Sequence, residues 1–378
     1  MTPDSSLLDE PVRIRVTGLS RGQRVELTAR MTGPDGQIWS SQATFKADNE
    51  GVVDLDRDAP ESGDYTGVDG MGLIAAMSPD SSAPATTAPP TSDDPSSGAP
   101  ADVPQYATMP ADLSITVAVS SGPETTIRRV AVAPGVTIQD LTVAEHGVAG
   151  VLVTPSEAAG PGVLLIGGSE GGLGVGYVAM ALMLAAHGYP ALAVASFNAP
   201  GLSSALRDVP IEYFASAASK LPGPVRVVGV SRGSEAALLL AARYPHLVGG
   251  VVLAAPADQI NLGFPGGGYA WTFGNVPQLD IPFSVIAGPV LAIAGTGDRV
   301  WPSAANADAL KEQLGDRLST LVLEGAGHDV LGVPYLSANP AAVHPVTGEP
   351  FHLGGSRQAN EQARRESWSA LLSFLASS

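Results

Sequence analysis

The 378-residue chain has no cysteine, few aromatic residues and few basic ones. The absence of cysteine excludes disulfide bonds, a thiolate nucleophile and a cysteine-ligated metal site. Lysine and arginine number 20 against 37 aspartates and glutamates, which gives a formal net charge of −17. This charge argues against nucleic acid and anionic membranes as partners, because both repel an acidic surface.

Long apolar segments and cofactor motifs are also missing. No stretch reaches 18 uninterrupted apolar residues, and the first six residues are polar and acidic. These features predict a soluble, cytoplasmic protein without membrane insertion. No glycine-rich phosphate loop and no metal-ligand spacing of His, Asp and Glu occurs, so no cofactor and no metal are predicted. The sequence does not define an oligomeric state.

The first third of the chain has the pattern of a β-rich domain. Short runs of alternating apolar and polar residues are separated by turn signals such as the one at 33–36. They predict an immunoglobulin-like β-sandwich of about seven strands, assigned to residues 1–134. A Ser/Pro-rich stretch at 79–106 contains too few apolar residues to offset its ordering entropy, and it is predicted to be a disordered loop within the sandwich. The clearest strand runs are 12–16, 24–29, 43–45, 52–55, 113–119 and 127–132.

From about residue 135 the pattern changes, because apolar strand runs alternate with helical runs. Strands at 150–154 and 163–166 precede an apolar helix around 180–186, and a further strand follows at 191–195. Such alternation predicts a doubly wound, mostly parallel sheet over residues 135–378.

A glycine-flanked serine marks one strand-to-helix junction. Gly229-Val230-Ser231-Arg232-Gly233 follows the apolar run 225–228 and precedes the helical run 235–240. This is the layout of the nucleophile elbow of α/β-hydrolases, in which the glycines accommodate a strained turn. The motif alone is weak evidence, since 167–171 also matches it.

The residues that follow Ser231 favour it as the nucleophile. Asp298 and His328 each follow a short apolar strand, in the chain order serine, acid, histidine that α/β-hydrolases use. Histidine can take the hydroxyl proton and return it to the leaving group, and the acid fixes its tautomer. Asp258, after an earlier strand, remains an alternative acid. His344 lies in a loop-like segment, where a lone histidine is more often solvated than catalytic.

Ser169, in the second motif, is predicted to have another role. Only one strand of the parallel sheet precedes it, whereas an elbow serine requires at least two earlier strand–helix units. The loop after this early strand normally supplies one backbone N–H of the oxyanion hole, and the residue after the nucleophile supplies the other. The N–H groups of Ser169 and Arg232 are therefore the candidates. The alternative is a plain glycine-rich turn.

These residues resemble the type I acyl-CoA thioesterases and the bile acid-CoA:amino acid N-acyltransferases, over nearly the whole chain. The more specific blocks are Met71-Gly72-Leu73 and the elbow run that ends at Glu235; Glu170-Gly171-Gly172-Leu173 and Gly327-His328 also agree. The resemblance implies that Ser231, Asp298 and His328 form a catalytic triad, that the substrate is an acyl-CoA, as in fatty acid metabolism, and that no metal takes part.

Two departures from the family pattern limit which family properties can be expected of this chain. The Ser/Pro-rich insert is not a family feature, and the spacing from Ser231 to Asp298 is shorter than in animal members, which leaves the acyl chain length open. Transferase members of the family mostly carry cysteine at the elbow and hydrolases carry serine, so Ser231 favours a thioesterase. The alternatives are an acyltransferase that uses an amine or alcohol, a carboxylesterase or serine peptidase, and a catalytically silent scaffold.

Overall fold

The structure, a computed structural model, describes residues 1–33, 36–79, 109–120, 122–336 and 338–377. The chain forms two compact units. The first comprises Met1–Val132 with Tyr335–Ser337, and the second comprises Ala133–Pro334 with Ala338–Ser378. Apart from Pro79, the loop predicted to be disordered at 79–106 lies outside the described residues.

The first unit is built from strands and one short helix. The strands in its described residues are β1 (Ser5–Leu7), β2 (Arg15–Val16), β3 (Arg24–Thr32), β4 (Ile38–Lys46), β5 (Val53–Asp54), β6 (Ser62–Gly63), β7 (Ser78–Pro79), β8 (Asp112–Val119) and β9 (Glu124–Val130). Helix α1 (Gly72–Ala75) was not expected from the sequence. Gly72 is required there, because a Cβ at this position would overlap the ring of Tyr65.

Two sheets enclose the core of this unit. Seven strands form one sheet in the order β1-β9-β8-β3-β4-β6, with β7 also paired to β4, while β2 and β5 form a separate ribbon. The long strands alternate buried and exposed residues, as the sequence predicts for a sheet with one buried face. Leu27 and Phe45 of the large sheet pack in one apolar cluster with Val53 of the ribbon and Leu73 of α1.

A buried arginine fastens the amino-terminal segment to this sheet. Arg129 on β9 is 2% exposed and donates hydrogen bonds to the carbonyl oxygens of Leu8 (2.5 Å) and Glu10 (2.7 Å) and to Oγ of Ser6 (2.7 Å). Its guanidinium lies 5.9 Å from the centre of the Tyr335 ring. Burial lowers the pKa of Arg129 to about 10, and the bonded carbonyls replace the water it has lost.

The second unit alternates strands and helices. Its described strands are β10 (Thr137–Leu141), β11 (Gly150–Thr154), β12 (Val163–Ile166), β13 (Ala191–Val194), β14 (Val209–Pro210), β15 (Val225–Val230), β16 (Val248–Ala254), β17 (Trp271–Phe273), β18 (Val276–Pro277), β19 (Val290–Gly295), β20 (Leu318–Leu323), β21 (Ala341–Val343) and β22 (Pro350–His352). The α-helices are α2 (Val143–His146), α3 (Val175–Ala186), α4 (Ile211–Ala218), α5 (Arg232–Arg243), α6 (Ser303–Leu314) and α7 (Arg357–Ala376), and two 3₁₀ turns span Phe283–Val285 and Gly315–Arg317.

The main sheet has eight strands in the order β10-β11-β13-β12-β15-β16-β19-β20. Every neighbouring pair from β13 to β20 is parallel, and β11 runs against both of its neighbours. This topology confirms the predicted α/β-hydrolase fold. The chain passes from β12 to one side of the sheet and then returns to β15 on the other side. In such sheets the crevice at the carboxyl ends of these two strands is where ligands bind.

Helices of the second unit pack against its main sheet. The strands β12, β13 and β19 are buried along their whole length, as expected for a parallel sheet with helices on both faces. In the described part of the chain, no helix combines the length and the apolar character that a membrane span requires.

Arg129→Met should destabilise the first unit by about 3 kcal/mol, because the carbonyls of Leu8 and Glu10 lose a charged donor and stay buried. Arg129→Lys should cost less, since an ammonium retains some of these bonds. Amide hydrogen exchange of β3 and β8 measures this loss separately from the second unit. Protection factors in Arg129→Met equal to those of the wild type would show that Arg129 does not hold the segment.

Candidate active site

Ser231 lies in a strained turn between β15 and α5. Its backbone has φ 53° and ψ −119°, a conformation that residues with side chains rarely adopt. Its N–H donates to the carbonyl oxygen of Ala254 at 2.9 Å, and its own carbonyl accepts from Oγ of Ser234 at 2.6 Å. Ser234 in turn accepts from the N–H of Ala257. The turn is therefore fixed from both sides by the neighbouring strand and its loop.

The flanking glycines are required by close contacts. A Cβ on Gly229 would overlap the carbonyl oxygen of Gly233, and a Cβ on Gly233 would overlap that of Ile166 at the end of β12. Neither glycine has a positive φ, so the reason for glycine here is space and not backbone conformation. The motif therefore lets α5 begin directly against the adjacent strand.

Asp298 and His328 meet on the loops that follow β19 and β20. Nδ1 of His328 lies 2.8 Å from Oδ2 of Asp298, and the two side chains are 6% and 1% exposed. Oδ1 of Asp298 accepts from the N–H groups of Val300 (2.8 Å) and Trp301 (3.3 Å). Because Nδ1 is bonded to the carboxylate, Nε2 is the nitrogen available for proton transfer.

Trp301 covers one side of this pair. Its ring lies edge-on to the His328 ring with the centres 5.5 Å apart, and its Nε1 donates to the carbonyl of Ala255. The backbone N–H of His328 donates to Leu353 at 2.7 Å. The imidazole is thus oriented by an acid and an aromatic ring, and the backbone of its loop is held by the segment after β22.

The loop after β12 lies against Ser231. Since β12 and β15 are parallel neighbours, their carboxyl ends meet at one edge of the sheet. A Cβ on Gly168 would lie 3.0 Å from Cβ of Ser231. The N–H of Gly168 donates to Oε1 of Glu170 at 2.8 Å, and Oγ of Ser169 lies 3.2 Å from Nε2 of His344. Ser169 is therefore close to the elbow, and its hydroxyl is bonded to another side chain.

His344 is a member of this region that the sequence did not reveal. It was expected to be solvated, but it is 3% exposed and its ring lies 5.0 Å from that of Phe264 and 5.1 Å from that of Phe351. Its Nδ1 accepts from the N–H of Val346 at 3.3 Å. Burial lowers the pKa of His344, and the negative charge of Glu170 opposes that change. The neutral ring therefore presents Nε2–H to Ser169.

A buried carboxylate supports the first turn of α5. Glu235 is fully buried and accepts from Nε1 of Trp271 (2.7 Å) and Nδ2 of Asn261 (3.0 Å), and its Oε1 lies 2.7 Å from Nε of Arg232. Burial raises the pKa of Glu235, whereas the charge of Arg232 favours the ionised form. The guanidinium of Arg232 also donates to the carbonyl of Asn261, so it is held beneath the elbow.

Four residues that the sequence singled out follow strands of the main sheet at the same edge. Ser231, Ser169, Asp298 and His328 all lie at the carboxyl edge of the main sheet, on loops after β15, β12, β19 and β20. Asp298 contacts His328, and among the described residues no bond joins His328 to Asp258. The geometry thus favours Asp298 over the alternative acid.

Comparison with protein families gives two matches along the chain. Residues 9–143 match the family model described as the acyl-CoA thioester hydrolase/BAAT N-terminal region, and residues 273–378 match the BAAT/acyl-CoA thioester hydrolase C-terminal model. Together the two matches cover well over half of the chain.

Curated relatives align over nearly their full length. Acyl-coenzyme A amino acid N-acyltransferase 1 of Mus musculus is 28% identical, covering 99% of this chain and 95% of the relative. The bile acid-CoA:amino acid N-acyltransferase of Homo sapiens is 28% identical (99% and 96%). Acyl-coenzyme A thioesterase 6 of Mus musculus is 27% identical (98% and 93%). The relatives therefore carry names of both hydrolases and transferases.

Asp298→Asn should slow fluorophosphonate labelling of Ser231 by roughly 10³-fold or more, because the amide holds the wrong histidine tautomer. Asp258→Asn is the matched control, since it removes the same charge from the alternative loop, and it should label at the wild-type rate. Labelling rates of the two variants are measured by intact-protein mass spectrometry. Slow labelling of Asp258→Asn with a normal rate for Asp298→Asn would reverse the assignment.

Proposed function

Because the chain belongs to the family of acyl-CoA thioester hydrolases and bile acid-CoA:amino acid N-acyltransferases, we propose that it hydrolyses an acyl-CoA thioester through an acyl-serine intermediate. The observation that carries this proposal is the buried His328–Asp298 pair at the same sheet edge as the strained Ser231. A structural serine has no need of an oriented imidazole. A catalytic serine does, because its hydroxyl is a weak nucleophile until a base removes the proton.

In the first half of the reaction, Oγ of Ser231 attacks the thioester carbonyl while Nε2 of His328 takes the hydroxyl proton. The resulting imidazolium is stabilised by Asp298, which accepts from Nδ1 and remains ionised. The tetrahedral intermediate collapses with cleavage of the carbon–sulfur bond. His328 returns its proton to the sulfur, so the thiol leaves neutral and the acyl group stays on Ser231 as an oxyester.

In the second half, water replaces the thiol. Nε2 of His328 takes a proton from the water as its oxygen attacks the acyl carbonyl. Collapse of the second intermediate breaks the bond to Oγ of Ser231, which recovers its proton from His328. The products are the free acid and the thiol, and the enzyme is unchanged.

The negative oxygen of both intermediates needs donors that already point toward it. Arg232 is the first residue of α5, and the N–H groups of a first helical turn have no partner within the helix. In the loop after β12 the N–H of Gly168 is bonded to Glu170, whereas the side chain of Ser169 is held by His344. We assign the oxyanion hole to the N–H groups of Arg232 and Ser169.

An acyltransferase is the second candidate, because full-length relatives carry that name. The chemistry of the elbow residue favours hydrolysis. An acyl-serine is an oxyester, which water attacks readily, whereas a thioester on cysteine reacts relatively faster with amines. With Ser231 at the elbow, water is the expected acceptor.

The two glycine-flanked serines should behave differently. Ser231→Ala should lower kcat for acyl-CoA hydrolysis by roughly 10⁴-fold or more, because the nucleophile is lost. Ser169→Ala keeps the backbone N–H and loses only the bond to His344, so activity should stay within about tenfold of the wild type. Free thiol release from acyl-CoA measures both. Equal losses in the two variants would refute the assignment of roles.

The acceptor can be tested by changing the nucleophile. Ser231→Cys should retain measurable acylation, since a thiolate paired with His328 is a competent nucleophile. With glycine present, amide should be a larger fraction of the product in this variant than in the wild type, where it should stay near zero. Product analysis by mass spectrometry measures the ratio. Amide or ester as the main product of the wild-type enzyme would favour the transferase.

A further inference from the structure

A cavity of about 520 Å³ lies at the amino edge of the main sheet, away from Ser231. It is lined by Tyr189, Pro222, Pro224, Gly249, Leu375 and the side chain of Arg226, among others. Arg226 is the second residue of β15 and Ser231 follows the last, so about 16 Å of extended strand separates them. The volume is within the range of small-molecule sites, roughly 300–1,000 Å³.

Arg226 lines this cavity, and part of its guanidinium is buried without compensation. The residue is 8% exposed, and Nε is buried without a hydrogen-bond partner. Among the described residues no carboxylate pairs with it, in contrast to Arg232, which lies against Glu235. Burial lowers the pKa of Arg226, and no charged group in the described part of the chain opposes this change. Burying part of a cation without a partner costs free energy, and an anion bound in the cavity would offset that cost.

The neighbouring strand is shaped around this arginine. The pairing of β15 with β16 shifts register between Val225 and Arg226, a bulge of the kind that redirects a side chain. Gly249 and Gly250 lie opposite the bulge, although glycine weakens a strand interior. A Cβ on Gly249 would overlap Nη1 of Arg226, and a Cβ on Gly250 would lie 3.3 Å from its Cδ. Both glycines have ordinary backbone angles, so the space is what they provide.

From these features we propose that the cavity binds a small oxyanion, the carboxylate or phosphate group of a metabolite, with Arg226 as its anchor. A guanidinium offers parallel N–H donors that match the oxygens of either group. Tyr189, the prolines and Leu375 supply an apolar wall for an organic body attached to the anion. The site is distinct from the catalytic edge, and its ligand does not need to be the substrate.

The test is isothermal titration calorimetry of the full chain with inorganic phosphate, acetate and butyrate. Titration with chloride at the same ionic strength is the reference for each anion. At least one oxyanion should bind and raise Tm by about 2–4 °C near saturation. Butyrate should bind more tightly than acetate, by roughly fourfold per methylene that reaches the apolar wall. The wild type and Ser231→Ala should give the same affinity, because the catalytic serine is at the other edge of the sheet.

Two variants and one control decide the role of Arg226. Arg226→Gln should weaken oxyanion binding by at least tenfold without lowering Tm in chloride, since an unpaired buried charge is removed. Gly249→Ala keeps the charge but displaces the guanidinium, and it should weaken binding by at least fivefold. Lys220→Gln is the control, because Lys220 is close to Arg226 in sequence but does not line the cavity. This variant also loses one positive charge, and its oxyanion binding should change by less than twofold. The proposal is overturned if none of the three anions binds better than chloride, or if Arg226→Gln binds them as the wild type does.

Discussion

The geometry of the candidate active site depends on how closely the first turn of α5 approaches the end of β12. Gly233 lies against the carbonyl oxygen of Ile166, and Gly229 lies against Gly233, with no room for a Cβ at either position. This contact forces the chain through Ser231 at φ 53°, a conformation that costs about 1–3 kcal/mol. The strain is offset because α5 is buried along almost its whole length in the apolar core. A serine on an unstrained turn would face the core or the solvent, and not the crevice beside the loop after β12.

Much of the fold and the three central site residues could be predicted from the sequence. Buried parallel strands are continuous apolar runs, and the carboxyl ends of such strands share one edge of the sheet. A polar residue that directly follows such an apolar run is therefore expected at the carboxyl edge of the sheet, so the sequence pattern alone predicts its position in the fold. Ser231, Asp298 and His328 each satisfy this rule, which explains why their place at one sheet edge and the contact of Asp298 with His328 could be expected. Right-handed crossovers restrict the strand orders that such a parallel sheet can adopt.

The supporting residues could not be predicted, because their partners are distant in sequence. His344 meets Ser169 across 175 positions, and neither the turn after β21 nor its composition indicates that contact. Glu235 is recognisable as part of a family block, but its bonds to Asn261 and Trp271 depend on loops without a periodic pattern. Arg129 is a partial exception. Strict alternation in β9 places it on the same face as Ile127, so its burial was implicit even though its carbonyl partners were not.

Charge distinguishes the two edges of the main sheet. A chain with a net charge of −17 repels anions at long range, but at physiological salt screening limits this effect to about 8 Å. Recognition of an anion therefore depends on local groups. At the catalytic edge, Arg232 is neutralised by Glu235 and serves to hold the elbow, so it adds no net attraction for a charged ligand. At the amino edge, no carboxylate in the described part of the chain pairs with Arg226. The same residue type thus has different surroundings at the two ends of β15: Arg232 lies against a carboxylate that compensates its charge, whereas Arg226 lines the cavity in which we propose that an external anion does so.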